Sequence, residues 1–299
     1  MTHSEIEADG VRPGVAEALA HCRAQGGRVA GHYRHVLIVQ SGPRLLAVQD
    51  RTAACSPFSL VLAQPQRTWP AAGTAVSADA RLLRIGEMSV RLPDGPAMSA
   101  PTAGEPETMT EDPAATSRRG GASKSGPHAW AESILAPHVA ASAFGGAGQS
   151  GVQRLVRERG AAALGELTRA DSWNTLRAAA ERLCGLGGGA TPSGDDALVG
   201  FLGAWLRLAP PAERRPARAL AAWLAALAPE RTSRLAAEFY YHLARERLSE
   251  PVDQVLSALG SGEPGAVEIA AARLARYGAS SGHDTLAGVD AYLRRPSRP

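Results

Sequence analysis

The stretch from Gly185 to Gly200, which reads GLGGGATPSGDDALVG, constrains this chain more than any other. Four glycines in its first five residues allow positive φ angles and let the backbone lie close to a ligand. A hydroxyl, a proline and two acids then precede an apolar run, which is typical of a helix N-terminus. Ser193 and Asp196 have the spacing of a capping box. The sequence predicts a glycine-rich loop that opens a helix, whose unpaired N–H groups can bind an anion.

Two common phosphate-binding motifs do not fit this stretch. No Lys follows the glycines, so it is not a Walker A loop. The preceding segment, Trp173 to Cys184, has a helical rather than a strand pattern, so it is not a Rossmann fingerprint. A helix start without any ligand explains the stretch equally well, and taken alone it leaves both interpretations open.

A second stretch, Ser281 to Gly288, repeats the pattern of Ser193 to Gly200. Ser, Gly, Asp, Leu and Gly recur at the same offsets in SGDDALVG and SGHDTLAG, and each stretch follows a helical pattern that ends in Gly. Helix capping accounts for the Ser and the Asp but not for the later Gly. We therefore predict that the two helix openings, with Asp196 and Asp284, face each other in one pseudo-symmetric site.

The first third of the chain has the pattern of β-structure. Short apolar runs, separated by Gly, Pro or Asp, extend from Arg28 to Leu92 and predict a small antiparallel β barrel or sandwich. The predicted β-rich domain is residues 15–92, and it includes a short helix over Val15 to Ala24. Residues 1–14 are predicted to form a disordered N-terminus.

The remaining two thirds divide into a linker and a helical domain. Residues 93–127 are rich in Pro, Gly, Ser and Thr, so we expect a flexible linker or loop. From 128 to 295 apolar residues recur at helical spacing, and Ala197 to Leu208 is apolar nearly all round. The predicted fold class is therefore α+β, with a mainly α-helical C-terminal domain in which two glycine-rich helix N-termini form a site.

Composition excludes several functions. The net charge of the 299-residue chain is +3 and its Arg residues are scattered, so no basic stripe for nucleic acid is present. No run reaches the roughly 18 apolar residues of a membrane span, and the N-terminus lacks a signal-peptide pattern. The three Cys form no CxxC motif, which favours reduced thiols. We expect a cytoplasmic protein that binds neither nucleic acid nor membranes.

Three segments together resemble a bacterial family of domains of unknown function: GLGGGATPSGDDALVGFL, Arg231-Thr232-Ser233 and GASSGHDTLAG. That family includes the small (H-type) subunit of oxamate carbamoyltransferase, from anaerobic allantoin degradation. The resemblance extends from about Val29 to Leu293 and is most specific at the two Ser-Gly-x-Asp motifs. It implies exchange of oxalurate and phosphate for oxamate and carbamoyl phosphate, carried out with companion subunits.

Electrostatics limit what the acids of these motifs can do. A carboxylate about 4 Å from a phosphate costs several kcal/mol at an effective dielectric constant near 20, more than the roughly 0.3–1 kcal/mol that a helix dipole supplies. Asp195, Asp196 and Asp284 therefore cannot all face a bare anion. They can cap helices and point away, hold a bridging Mg²⁺ or Mn²⁺, or accept hydrogen bonds from a substrate NH₂. The last alternative suits a carbamoyl compound.

The predicted site follows from these motifs. His283 or one of the acids can act as a base, so the catalytic candidates are Asp195, Asp196, His283 and Asp284. Loop amides, hydroxyls and a guanidinium can donate to a small anionic or carbamoyl substrate. The predicted substrate-binding residues are Gly187, Gly188, Gly189, Thr191, Ser193, Gly194, Arg231, Thr232, Ser233, Ser281 and Gly282.

The function expected from the resemblance is a subunit of an oxamate-type carbamoyltransferase that binds its substrate at the two motifs. Two alternatives stay open. The chain can be a non-catalytic regulatory or structural subunit of a multi-chain complex, or a stand-alone Mg²⁺-dependent hydrolase of a ureido compound. A subunit should be inactive without its partners, whereas a hydrolase should turn over alone and lose activity with a chelator.

Overall fold

The N-terminal part of the chain folds into a closed β-barrel. The structure is a computed structural model that describes residues 5–93, 129–145 and 151–296. The strands are β1 (Glu5–Val11), β2 (Gly27–His32), β3 (Val36–Ser41), β4 (Arg44–Asp50), β5 (Ser59–Leu62), β6 (Ala75–Ala78), β7 (Leu82–Ile85) and β8 (Met88–Arg91). Their order around the barrel is β1-β5-β4-β3-β2-β6-β7-β8. The predicted barrel is confirmed, but the pairs β1–β8 and β4–β5 are parallel, so the fully antiparallel pairing is wrong.

Strand β1 corrects the expectation of a disordered N-terminus. Residues 5–11 pair with both β5 and β8, and residues 1–4 lie outside the described residues. Ile6 and Ala8 alternate with acidic residues and contact the barrel core, which is the period-two pattern of a half-buried strand. Because closure of the barrel gives β1 a partner on each side, its backbone polar groups are satisfied despite the charged composition.

Helix α1 (Val15–Gln25) shares one hydrophobic core with the barrel. Val15, Leu19 and Cys22 are buried against inward-facing strand residues such as Leu37 and Val48. The helix predicted over Val15 to Ala24 is therefore confirmed, and the buried Cys22 is a core residue.

The C-terminal part is helical, as predicted. Its helices are α2 (Ala129–Ala141), α3 (Gly151–Arg169), α4 (Trp173–Leu183), α5 (Ser193–Leu208), α6 (Arg215–Arg231), α7 (Arg234–Leu243), α8 (Glu250–Ser261), α9 (Pro264–Ala275) and α10 (Ser281–Leu293). In the described ranges, none of these helices has both the length and the apolar character needed to cross a lipid bilayer. The predicted linker over 93–127 lies, apart from Pro93, outside the described residues.

Helices α5 and α10 pack backbone against backbone. A Cβ atom on Gly200 would lie 2.0 Å from the carbonyl oxygen of Thr285, and one on Gly288 would lie 1.9 Å from that of Ala197. Both glycines end the repeated eight-residue motif, and both carbonyls belong to its fifth residue. The later Gly of each motif therefore permits this contact, and the two motifs are related by a pseudo-twofold axis.

The other glycine pair of the repeat, Gly194 and Gly282, lets each helix pack closely against the helix that precedes it. A Cβ on Gly194 would lie 2.0 Å from the carbonyl oxygen of Leu183, and one on Gly282 would lie 1.9 Å from that of Leu274. The amide of Gly194 donates to Leu186 at 2.8 Å, and that of Gly282 donates to Tyr277 at 2.9 Å. The units α4–α5 and α9–α10 thus have the same local geometry.

Charged side chains join the barrel to α7 and its neighbours. Arg44 on β4 contacts the buried Glu238 at 3.4 Å, and Arg247 donates to Glu17 of α1 at 2.7 Å. Glu238 also lies 3.2 Å from the fully buried His242, whose pKa is lowered by burial. Breaking one member of a buried pair leaves an uncompensated charge, so these contacts fix how the two parts meet.

We predict that Gly288→Ala destabilises the protein by about 1–3 kcal/mol or more, because the new methyl group must push α10 away from the backbone of α5. The matched control is Gly265→Ala in α9, where a Cβ meets nothing within 4 Å. That change should be neutral or stabilise by up to about 1 kcal/mol. Urea unfolding measures both, and equal stabilities for the two variants would contradict the close helix contact.

Candidate functional site

A cavity of about 560 Å³ lies between the barrel and the helical part. The barrel side comes from β3, β4 and the loop that follows β4, and the helical side comes from α7 and the loops that precede α5 and α10. The lining residues are Tyr33, Val36, Ile38, Ala47, Gln49, Ala53, Ala54, Ser56, Phe58, Gly188, Gly189, Ala190, Thr191, Leu235, Phe239, Tyr277, Gly278, Ala279, Ser280 and Ser281.

Most of the cavity wall opposite the loops is apolar. Ile38 and Phe58 belong to a cluster that Leu235 and Phe239 of α7 join, and the rings of Phe58 and Phe239 meet edge-on at 5.3 Å. Three polar side chains also line this wall: Tyr33, Ser56 and Gln49. Ser56 hydrogen-bonds to Ser59 at 2.8 Å, and Gln49 is satisfied within the barrel as well. Its amide nitrogen donates to the carbonyl oxygen of Ala53 at 2.9 Å, and its carbonyl oxygen accepts from Ser59.

The two motifs meet at the polar end of the cavity. The hydroxyl oxygens of Thr191 and Ser281 lie 2.9 Å apart, and Thr191 donates to Asp196 Oδ2 at 3.1 Å. Ser281 also interacts with Asp196, so the serine of the second motif contacts the aspartate of the first. The convergence predicted from the repeat is therefore present in the structure, while its use in ligand binding remains a prediction.

The pseudo-twofold axis produces the reciprocal pair as well. Asp284 of the second motif interacts with the hydroxyl of Ser193 of the first, and its Oδ1 accepts from the amide of Ala143 at 2.7 Å. Asp284 is fully buried, and its Oδ2 has no hydrogen bond of normal geometry among the described residues. Each motif thus places its carboxylate against the serine of the other.

The serines do not cap their helices as predicted. The N-cap residues of α5 and α10 are Pro192 and Ser280, and neither makes a side-chain cap hydrogen bond. Ser193 and Ser281 are the first residues of these helices, and their hydroxyls turn toward the opposite motif. The capping-box interpretation of Ser193 and Asp196 is therefore wrong, because a tertiary partner replaces the local one.

Burial raises the pKa of the carboxyl groups of Asp195, Asp196 and Asp284. Loss of water disfavours the ionised form, and the nearby hydroxyls only partly offset this. For Asp196 the charges of Asp284 and Asp195 add to the burial effect and hold its pKa well above the usual range. The polar end of the cavity can therefore hold a proton at a higher pH than an exposed Asp can.

None of the three acids is in the cavity lining, and Asp195 differs from Asp196 and Asp284 in its hydrogen-bond partners. Its Oδ1 accepts from the amide of Gly185 at 3.0 Å and from the Tyr240 hydroxyl at 2.8 Å, and its Oδ2 accepts from Thr232. Both carboxylate oxygens are thus occupied by groups that join α5 to the glycine-rich loop and to α7. This geometry favours a structural role over a catalytic one.

The Arg231-Thr232-Ser233 segment holds the loop in place. Ser233 caps α7 by accepting from the amide of Ala236, and its hydroxyl donates to the carbonyl oxygen of Ala190 in the loop. Arg231 is exposed, pairs with Glu181 at 3.5 Å and is absent from the cavity lining. The segment therefore supports the loop, and the guanidinium predicted as a substrate donor lies away from the cavity.

The glycine-rich loop presents its backbone to the cavity mouth. Gly187 has φ +119°, and a Cβ there would lie 2.8 Å from the amide nitrogen of Ser193. Gly188 and Gly189 follow as exposed lining residues. Within the described part of the chain, the amides from 188 to 191 donate to no other backbone group. They remain available to an acceptor in the cavity.

His283 lies beside the cavity rather than in its lining. Its ring stacks at a tilt on that of His138 at 5.4 Å, and its Nδ1 is buried without a partner among the described residues. In the ranges that the structure describes, no three His, Cys, Asp or Glu side chains are grouped as ligands of one metal ion. The possible Mg²⁺ or Mn²⁺ site at Asp195, Asp196 and Asp284 stays a prediction.

Sequence reasoning missed the barrel side of the cavity. Val36 and Ile38 face it from β3, while Leu37 and Val39 face the barrel core. One signal was present: the run VLIV is apolar on both faces of the strand, which indicates that both faces are covered. Nothing in the local sequence indicates that a cavity, rather than packed helix, lies over the outer face.

The fold and the cavity define this chain as an α+β protein with a small-molecule-sized cavity between a β-barrel and a helical part, where two related helix openings meet. Residues 183–293 match the model of a family described as oxamate carbamoyltransferase subunit AllH. The matched segment contains both motifs and supports membership of the chain in that family, so the resemblance is confirmed over these residues. No curated protein matches the chain, and no solved structure matches it.

We predict that Asp195→Asn lowers the free energy of unfolding by about 1–3 kcal/mol. An amide places its NH₂ group against a donor hydroxyl or N–H, which leaves a buried polar group unpaired. The control is Asp253→Asn, because Asp253 makes an exposed ion pair with Arg207 that contributes little. Thermal melting of both variants is the measurement. If Asp195→Asn is as stable as the parent, Asp195 does not have the structural role assigned to it.

We also predict a pH signature for Asp196. Because its folded pKa is raised, the folded protein binds more protons than the unfolded chain above the unfolded pKa of about 3.9. Its contribution to stability therefore falls as pH rises above about 4 toward the raised folded pKa. Urea unfolding over this range should show the parent losing stability relative to Asp196→Asn. A constant difference between the two proteins would contradict the raised pKa.

Proposed function

We propose that this chain is a subunit of an oxamate-type carbamoyltransferase and that it binds a carbamoyl compound in the cavity between barrel and helices. The observation that carries the proposal is the contact between Thr191 of the glycine-rich loop and Ser281 of the second motif, at 2.9 Å in the cavity lining. Both residues lie in the segment that matches the carbamoyltransferase subunit family. We place the carbamoyl group at this end.

Proton counting shows why the hydroxyls suit a carbamoyl NH₂. When Asp196 is ionised, the single proton of Thr191 goes to it, so the Thr191 oxygen can act toward other groups only as an acceptor. The proton of Ser281 is directed to Thr191 or to Asp196. With Asp196 ionised, both hydroxyl oxygens therefore offer lone pairs to the cavity, and the N–H groups of a carbamoyl compound are the complementary donors.

We assign the anionic end of the ligand to the glycine-rich loop, which offers hydrogen-bond donors. The cavity lining contains no Lys, Arg, His, Asp or Glu among the described residues, so no charged side chain of the described residues lines the site of an anion there. The amides of Gly188, Gly189 and Ala190 have no backbone acceptor in the described part of the chain. N–H groups of this kind bind a carboxylate or phosphate without a counter-charge.

The proposed chemistry uses orientation and proton handling rather than a protein nucleophile. Binding the carbamoyl compound at both its NH₂ end and its anionic end orients its carbonyl group for attack by the acceptor. Asp196, with its raised pKa, exchanges a proton with the ligand through Thr191 or Ser281. Asp284 acts through Ser193 and is a positioning residue for the first motif.

One observation favours a second candidate, a subunit that binds a ligand while companion chains carry out the chemistry. The only ionisable side chains in the cavity lining of the described residues are Tyr33 and Tyr277, and burial raises the pKa of Tyr277 to about 12. No strong base faces the ligand directly. The Mg²⁺-dependent hydrolase has less support, because the described carboxylates are not grouped as metal ligands.

The test is carbamoyl transfer between oxalurate and phosphate, assayed with the companion subunits present. We predict that Asp196→Asn and Asp284→Asn each lower the rate by about 10- to 150-fold, since a hydrogen bond to a charged group contributes roughly 1.5–3 kcal/mol. A melting curve of each variant at the assay pH separates a loss of rate from a loss of folded protein. The matched control is Asp253→Asn, whose carboxylate lies on the surface of α8.

The two candidates give different results in this assay. Loss of transfer with retained ligand binding supports a catalytic role for the carboxylates. Loss of ligand binding with unchanged transfer by the assembled complex supports the regulatory subunit. Parental binding and parental rates for both Asn variants would show that the motifs only pack helices.

A further inference from the structure

We infer that the ligand of this cavity carries an apolar aliphatic or aromatic substituent beside its carbamoyl group, so that the substrate class is N-carbamoyl compounds with an apolar side chain. The inference rests on the proposed function for the carbamoyl end and extends it to the rest of the ligand. Three features of the cavity lead to it: its size, the composition of the wall opposite Thr191 and Ser281, and its lack of charge.

The cavity is much larger than a minimal carbamoyl compound. Its volume of about 560 Å³ falls in the range of about 300–1,000 Å³ that is typical of sites for drug-sized ligands. A water molecule takes up about 30 Å³ of the liquid, so oxamate, with a handful of non-hydrogen atoms, leaves most of the cavity empty or filled with water. A ligand that displaces this water needs a bulky substituent in addition to its polar end.

The wall that such a body touches is apolar. Ile38, Ala47 and Phe58 form it on the barrel side, and Leu235 and Phe239 form it on α7. The first three are at most 9% exposed, so they are held firmly by the barrel, whereas Leu235 and Phe239 are partly exposed toward the cavity. Water against these side chains makes few hydrogen bonds, and an apolar substituent replaces it favourably.

Apart from the exposed Tyr33, the polar side chains without a partner in the barrel lie on one side of the cavity. Thr191, Ser280 and Ser281 lie with the glycine-rich loop, whereas Gln49 and Ser56 on the barrel side already have their hydrogen bonds within the barrel. A ligand with one polar end and one apolar end matches this division. A ligand that is polar throughout leaves its second end facing Phe58 and Phe239 without partners.

The experiment compares three compounds by calorimetric titration into the full chain, alone and with its companion subunits. N-carbamoylglycine and N-carbamoyl-L-phenylalanine share the carbamoyl group and the carboxylate and differ in the benzyl group. N-acetyl-L-phenylalanine keeps the benzyl group but replaces the carbamoyl NH₂ with a methyl group. We expect the carbamoyl phenylalanine to bind at least about tenfold more tightly than either of the others.

Two variants locate the binding. Ala190→Phe places a ring in the cavity from the exposed loop and should weaken N-carbamoyl-L-phenylalanine by about tenfold or more while N-carbamoylglycine changes less. Ala212→Phe, in the exposed 3-10 turn Pro211–Glu213 and outside the lining, is the matched control and should bind both compounds like the parent. Equal weakening by both variants would overturn the location.

The results separate this inference from the proposed function. Equal affinity for the glycine and phenylalanine compounds, with normal oxalurate transfer by the complex, overturns the apolar substituent and leaves the carbamoyl site intact. Preference for phenylalanine with no difference between its carbamoyl and acetyl forms overturns the carbamoyl end instead. Tight binding that needs both groups supports the substrate class.

Discussion

The site of this protein depends on the contact between two helix backbones. Gly200 and Gly288 have no side chains to separate α5 from α10, and each faces a carbonyl oxygen of the other helix. At this separation the first turns of the helices reach each other, so Ser281 contacts Asp196 and Ser193 contacts Asp284. The close approach of α5 and α10 at these two glycines therefore brings together the polar groups at this end of the cavity.

The symmetry of the packing does not extend to the loops. Five residues separate Gly187 from Ser193, whereas two separate Gly278 from Ser281, and the longer loop supplies Gly188 to Ala190 to the cavity mouth. The third motif residue also differs: Asp195 binds the loop and Tyr240, while His283 stacks on His138. A symmetric framework thus carries an asymmetric surface, as a ligand with two different ends requires.

The sequence predicts the barrel, the helical part and the meeting of the two motifs, because these follow from periodicity and repetition. It fails where a distant partner replaces a local one. Ser193 has the spacing of an N-cap, yet its hydroxyl turns to Asp284, and β1 has a charged composition that barrel closure overrides. The barrel wall of the cavity was not predictable, since no local pattern in β3 or β4 specifies which helix covers its outer face.

The cavity draws its walls from two folding units, and this has a thermodynamic consequence. In the proposed function, a bound molecule contacts β3 and β4 on one side and α7 and the loops before α5 and α10 on the other, so only the docked arrangement of the two units binds it. By mass action, occupancy then favours that arrangement over any state in which the units separate. The pairs Arg44–Glu238 and Arg247–Glu17 join the same two units without ligand. Under the proposed function the barrel is therefore linked to ligand binding although neither motif lies within it, and we expect a mutation that loosens the barrel to lower affinity at a distance.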